Sequence, residues 1–304
     1  MYKKIDDTDK ECIDYLVKQP LSTWKEIAEH LDVTERTIAR RMQRLLNENI
    51  FRVLGEVDPL ILKKGGVHHI WIKCQLGLIN EVSTSLKNMP NCKLLLSLTG
   101  SHDLMAEFHF DSYEEMLEYT FNIIPAIHGI HSYENNAVLR YFKRASNRYY
   151  HQEKTLSEDE TNLIELLLKN GRSTITELSS SLNLSTPTIK GMIDHLVEEK
   201  FLSYKIDIEP NLIGYATEAI ICLEITPNEM LEVINVLQES PFTRCLLGTS
   251  GKSQVFWHVV HYDNHSLWNL VTELLKDFKN INHMDLNIAI HAYKRSGHIR
   301  PDLA

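Results

Sequence analysis

Long apolar runs are missing from this chain, and none approaches the ~20 residues a helix needs to cross a bilayer. The first residues, Met1-Tyr2-Lys3-Lys4-Ile5-Asp6, lack the apolar core of a secretory leader. A cytoplasmic protein with no membrane partner is therefore expected. Cysteine is sparse: Cys12, Cys74, Cys92, Cys222 and Cys245 are far apart and form no C-x-x-C pair. That spacing predicts buried reduced thiols and neither a disulfide framework nor a structural zinc site. No H-E-x-x-H pattern occurs either, so no metal, no cofactor and no catalytic residue is expected. Positive charge is also in short supply, with 32 Lys and Arg against 41 Asp and Glu and a net charge of −9. A balance of that sign excludes a protein that coats nucleic acid, but it permits a local basic surface.

What is present is a repeat. At 304 residues the chain exceeds what one core usually organises, and its 43% hydrophobic and 24% charged content is ordinary for a globular protein. Shifted by 151 residues, it aligns with itself without a gap over most of its length. Lys18 falls on Lys169, Ser22 on Ser173, Glu26 on Glu177, Leu31 on Leu182, Thr37 on Thr188 and Leu45 on Leu196. Further along, Pro59 meets Pro210, Gly100 meets Gly251, and Lys143-Arg144 meets Lys294-Arg295. One unit has been copied, with the joint at residues 147–155.

Each copy changes period partway. In the first, Cys12, Ile13, Leu16 and Val17 form a helical stripe, matched by Leu163, Ile164, Leu167 and Leu168. A short helix follows over 23–31, twinned at 174–182. A tight turn at Asp32-Val33 then leads to Thr34, the N-cap of a third helix reaching residue 47. Ser185 takes the cap position in the second copy, with Pro187 in the first turn. The later part reads strand 67–76, helix 79–87, strands 94–98 and 104–110, helix 113–124 and strand 130–141. The second copy gives 217–225, 228–239, 244–247, 254–261, 266–278 and 281–293. That β-α-β-β-α-β order predicts an antiparallel sheet backed by two helices, the ferredoxin-like arrangement. The expected fold class is α+β. It comprises a helix-turn-helix (winged-helix-like) module at 1–58, a ferredoxin-like domain at 59–146, a linker at 147–155, a second helix-turn-helix at 156–209 and a second ferredoxin-like domain at 210–304.

The third helix of the first copy carries Thr34, Glu35, Arg36, Thr37, Arg40, Arg41 and Arg44 around an apolar face of Ile38, Met42 and Leu45. It is the most basic short segment of the chain, and a helix presented this way fits the major groove of double-stranded DNA. Arg36 and Arg40, nearer the helix start, are candidates for base contacts; Arg41 and Arg44 are candidates for phosphate contacts. In the second copy the apolar face remains, but Lys190 is nearly the only cation and Gly191 weakens the helix. Reduced DNA affinity is expected there.

With these residues the chain resembles two fused copies of a leucine-responsive (Lrp/AsnC-family) regulator. The resemblance rests on Ile5-Asp6-Asp7-Thr8-Asp9, on 33–45 and on Val57-Asp58-Pro59. It implies a non-enzymatic, DNA-binding transcriptional regulator whose α/β domains bind a small-molecule effector, commonly an amino acid, and pair into oligomers or an intrachain pseudo-dimer. It also implies an effector loop of pattern T-G-x-x-D, met here by Thr99, Gly100, Ser101, His102 and Asp103, with Asp103 accepting from a ligand ammonium. The second copy reads Ser250-Gly251-Lys252-Ser253-Gln254 and lacks that acid. A siroheme-decarboxylase-like tetrapyrrole enzyme on the same scaffold is the alternative, prompted by 15 histidines, among them His68, His69, His102, His109, His258 and His261.

Overall fold

A computed structural model describes residues 5–63, 65–144, 147–148 and 155–300; residues 149–154 of the expected linker lie outside that set. In the first copy the elements are α1 (Asp7–Lys18), α2 (Trp24–Leu31), α3 (Glu35–Asn47), β1 (Phe51–Glu56), α4 (Pro59–Leu62), β2 (Gly66–Cys74), α5 (Ile79–Lys87), β3 (Cys92–Leu98), β4 (Leu104–Phe110), α6 (Tyr113–Glu118) and β5 (Ile130–Arg144). A two-residue strand β6 (Asn147–Arg148) pairs back on β5. The order then recurs as α7 (Glu158–Lys169), α8 (Ile175–Leu182), α9 (Thr186–Glu198), β7 (Ser203–Ile208), β8 (Thr217–Ile225), α10 (Met230–Glu239), β9 (Thr243–Thr249), β10 (Val255–His261), α11 (Asn264–Leu275) and β11 (Ile281–Arg295). A short β12 (His298–Ile299) closes on β11. The fold is α+β, with helix-turn-helix elements preceding sheet-rich segments.

The chain divides into two compact units, and each draws on both halves of the sequence: residues 1–58 with 154–214, and residues 59–153 with 215–304. In the first unit, short polar residues set the helix starts. Asp6/Asp9, Thr23/Glu26, Ser157/Glu160 and Thr174/Glu177 are reciprocal capping boxes that satisfy otherwise orphaned N–H groups. The turn before each third helix passes through a left-handed residue, Asp32 (φ 53°) or Asn183 (φ 55°), residue types that tolerate that region. Strands β1 and β7 pair antiparallel, Phe51 opposite Ile208, so the two copies share a ribbon. Ile13, Leu16, Ile27, Ile38, Met42, Leu45 and Phe51 form a fully buried core that takes in Ile206 and Ile208 of the second copy. Arg172 adds a polar tie: its guanidinium donates to the carbonyls of Pro20 (3.1 Å) and Ser22 (2.7 Å) and stacks 4.2 Å from the Trp24 ring centre.

In the second unit the strands run β11-β3-β4-β2-β5-β9-β10-β8 and return to β11, an antiparallel circuit without an open edge. Closure depends on the two long strands. The first half of β5 pairs with β2 and the second half with β9; β11 pairs first with β8 and then with β3. Side chains alternate along each strand, so the circuit has two faces. Val67, Trp71, Leu96, Met105, Tyr141, Ile220, Leu247 and Phe256 fill the space between the two halves. Ile70, Leu86, Phe108 and Phe110 pack outward under the first copy's helices, and Ile221, Val233, Trp257 and Val271 do so in the second. Each copy also caps a helix of the other: Lys143 Nζ donates to Ser240 O (2.7 Å) at the end of α10, and Lys294 Nζ donates to Met89 O (2.8 Å) just beyond α5.

Candidate functional sites

Thr34 caps α3, accepting from the Thr37 N–H, and the two threonine hydroxyls lie 2.9 Å apart. Ile38, Met42 and Leu45 are buried as expected, which turns Glu35, Arg36 and Arg40 to solvent. The remaining two arginines are partly exposed and meet carboxylates of the first copy's opening segment. Arg41 Nη1 donates to Asp6 Oδ2 (2.6 Å) and to Asp9 Oδ1 (2.9 Å), and Arg44 Nη2 pairs with the other Asp9 oxygen. Asp9 is fully buried. The guanidiniums read as phosphate contacts are thus turned onto the start of α1, because a buried carboxylate needs cationic partners. The solvent-facing cations of α3 are Arg36 and Arg40. In α9 the exposed face shows Thr188, Lys190 and Gly191.

The loop from Thr99 to Asp103 docks on the other copy. The Thr99 N–H donates to Ile288 O and the Ile288 N–H to Thr99 Oγ1, both at 2.9 Å. Ser250 repeats this with Ala137 at 2.8 Å in each direction. Gly100 and Gly251 both sit at φ +99°, where a side chain would run into Asn287 and Asn136 respectively. The Asp103 side chain is partly exposed; its Oδ2 accepts from the Cys74 N–H (2.8 Å) and its Oδ1 from Lys73 Nζ (3.3 Å). Ser101 Oγ lies 3.1 Å from His102 Nδ1, and His102 Nε2 lies 3.6 Å from Glu134. The five residues come together, with Thr99 and Asp103 hydrogen-bonded to neighbouring strands.

Two polar clusters lie on the inner strand faces. In the first, Glu107 on β4 meets His109 Nε2 (2.7 Å), His69 Nε2 on β2 (3.2 Å) and Arg144 Nη1 at the end of β5 (3.5 Å). Burial works against the Glu107 charge, yet Arg144 and the two imidazoles prevail and hold its carboxyl well below the usual range. Desolvation lowers His109 from its ordinary value, against the pull of Glu107. His69 is fully buried, packs 4.4 Å from the Phe256 ring and leaves Nδ1 without a partner. In the second cluster Glu218 accepts from both guanidinium arms of Arg295 (2.9 and 2.8 Å) and lies 2.6 Å from His258 Nε2. Glu218 is again depressed, by Arg295 and His258 against the penalty of burial, and burial lowers His258. Under the 151-residue shift Glu107 corresponds to His258 and Arg144 to Arg295, so acid and imidazole stand in corresponding places.

In the sequence His109 and His258 stand out only among the 15 histidines, and Glu107, Glu218, Arg144 and Arg295 are not marked as site residues. The signal lay in the repeated Lys-Arg pair closing each long strand and in Glu107-x-His109, which puts an acid and an imidazole on one strand face. Among the described residues no three His, Cys, Asp or Glu side chains gather as a metal site, and no helix is long and apolar enough to cross a membrane.

Comparison with known proteins places these features. An AsnC-type helix-turn-helix domain matches residues 5–46, and a winged helix-turn-helix DNA-binding model matches residues 159–202. The transcriptional regulator FL11 of Pyrococcus furiosus is 25% identical over 143 residues, which is 47% of this chain and 94% of FL11. The regulator LrpA of Pyrococcus horikoshii is 25% identical over 118 residues, or 38% of this chain and 84% of LrpA. Among solved structures, the siroheme decarboxylase NirDL superposes with a TM-score of 0.63 at 15% identity, covering 95% of this chain and 93% of its own. NirDL in complex with an iron-uroporphyrin III analogue gives 0.61 at 13% identity. The expectation of a non-enzymatic protein is thereby corrected, because the fold that spans this chain from end to end is one on which an enzyme is built. The chain thus contains two segments similar to helix-turn-helix domains, AsnC-type at 5–46 and winged at 159–202, and its fold is like that of NirDL over 95% of its length.

Proposed function

We propose that this chain is an enzyme of the siroheme-decarboxylase kind, acting on an iron tetrapyrrole that carries carboxylate arms. The observation that supports it most is the likeness to NirDL over 95% of the chain, two copies included, where a regulator such as FL11 accounts for 47%. Removing carbon dioxide from an acetate arm requires a cation to hold the carboxylate and an acid to protonate the carbon left behind. Arg144 and Arg295 are the fixed cations of the two inner clusters, and His109 and His258 are imidazoles beside them. In this reading the arginines orient the arms and the histidines carry the proton. The test is anaerobic incubation of the purified chain with siroheme, followed by mass spectrometry. Loss of carbon dioxide, abolished by His109→Ala or His258→Ala, is expected; a tetrapyrrole that neither binds nor changes overturns the reading.

A second reading has its own support. The AsnC-type match at 5–46 and the exposed Arg36 and Arg40 favour binding of double-stranded DNA by α3, in a regulator modulated by a small-molecule effector such as an amino acid. Selection of bound genomic fragments by the purified protein tests it, and recovery of no motif sinks it. In either reading we take the chain to be a duplication, with boundaries at 1–58, 59–146, 147–155, 156–209 and 210–304. The ferredoxin-like halves then pair within the chain as a pseudo-dimer. Five free thiols suit a reducing, cytoplasmic setting.

A further inference from the structure

The two halves of the second unit differ in chemistry at the corner where a helix turns into the next strand, α10 into β9 and α5 into β3. In the second half that corner holds rings: Tyr215 stacks on Tyr262 (5.6 Å), Phe242 stacks on His261 (4.1 Å), and Phe242 meets Tyr262 edge-on (5.7 Å). Under the 151-residue shift their counterparts are Lys64, Asn91, Phe110 and Asp111, polar or charged apart from Phe110. Rings close the corner in the second half, so the fold does not require charge there.

In the first half two ammonium groups sit on the carbonyls of consecutive residues. Lys93 Nζ donates to Pro90 O (2.7 Å), and Lys294 Nζ, from β11, donates to Met89 O (2.8 Å). The turn beneath them is pinned, with the Cys92 N–H on Met89 O, the His109 N–H on Asn91 O and the Gly297 N–H on Lys93 O. Each ammonium has three N–H donors and uses one, and neither meets a carboxylate among the described residues. Asn91 Nδ2, in the same turn, is buried without an acceptor. Lys63 is close by, paired with Asp111 at 2.5 Å. Burial, and then repulsion from Lys294 and Lys63, pushes the Lys93 ammonium below its ordinary pKa. The neighbouring Cys92 thiol is pushed up to about 12 by burial, so no thiolate offsets the lysines. Three cations thus stand against the one carboxylate of Asp111, in a chain whose net charge is −9. Lys64, next in the sequence and outside the described residues, has the same sign. Such a concentration of positive charge attracts an anion. Lysines act as point charges from separate directions, which suits the tetrahedral oxygens of a phosphate better than a flat carboxylate.

We propose that the α5–β3 corner, built from Lys63, Asn91, Lys93 and Lys294, is a binding site for a phosphate group, free or as the monoester of a small molecule. It goes beyond the tetrapyrrole reading and does not depend on it. The test is calorimetric titration of the full chain with inorganic phosphate and with acetate, in chloride at constant ionic strength. Saturable binding of phosphate is expected, at least about tenfold tighter than that of acetate. Lys93→Gln and Lys63→Gln should each weaken it by about tenfold while the protein stays folded by thermal melting. Lys93→Arg, which places there the residue type of Arg244, should retain it, and Lys252→Gln, on an exposed loop, should leave it unchanged. Methyl phosphate separates the two sources: affinity equal to that of inorganic phosphate assigns the site to an ester, and weaker binding assigns it to the free ion. No saturable binding, equal affinity for acetate, or affinity unaltered by Lys93→Gln overturns the proposal. So does phosphate binding that appears only in Asp302→Asn, since the chain's own carboxylate would then fill the corner.

Discussion

At the scale of single residues, three positions show how much the surroundings decide. Gly191 lies on the exposed face of α9, and a Cβ there would meet nothing within 4 Å. Gly191→Ala is expected to stabilise the protein by about 1 kcal/mol in urea denaturation, the ordinary helix preference of alanine. Gly100→Ala is expected to do the opposite, because φ is +99° and Asn287 occupies the space. Asp9 is the third position. Both of its oxygens are held by arginines of α3, so Asp9→Ala takes away the carboxylate that Arg44 meets and leaves Arg41 with Asp6. A loss of about 2 kcal/mol is expected, less than for a fully buried pair because the arginines are partly wetted.

At the scale of elements, the helices were largely legible in the sequence and the strand partners were not. S/T-x-x-E patterns and 3.6-residue stripes mark α2, α7 and α8 because caps and buried faces are local properties. The strand read as 130–141 runs in fact to Arg144 and changes partner midway. Alternation tells which side chains share a face; it carries no record of which strand lies alongside. The same limit hid the polar clusters, since a buried Glu107 or His258 in an alternating strand looks like an outward residue. The π-helical turn Tyr119–Ile123 that follows α6 left no mark in the period at all. For α3, the exposed Arg36 and Arg40 lead to a specific expectation under the DNA-binding reading. Arg40→Ala should weaken DNA binding and lower the slope of log affinity against log salt by about 1, whereas Lys190→Ala should leave it nearly unchanged. Fluorescence anisotropy over a salt series checks both.

At the scale of the whole molecule, the inner clusters tie stability to pH. Burial lowers His109 and His258 from 6.5, so the unfolded chain takes up protons first as pH falls. Their contribution is complete above pH 6.5 and declines below it. Glu107 and Glu218 are depressed from 4.5, so their contribution is present above that pH and is lost on further acidification. Stability should therefore fall continuously from pH 7 to below pH 4 in denaturant titrations. Glu218→Gln should flatten the acidic part of that curve, and a profile unaffected by the substitution would remove the second cluster as its source.

The circuit of strands has a further consequence. In an assembly of two identical chains every substitution is written twice, once on each side of the symmetry axis, and a residue facing the centre must tolerate its own image. Here the two sides are encoded separately, so a carboxylate at position 107 can stand where the other half has an imidazole at position 258. With both halves on one chain, the two faces of a single interior can differ as surfaces, each constrained by its counterpart and not by itself.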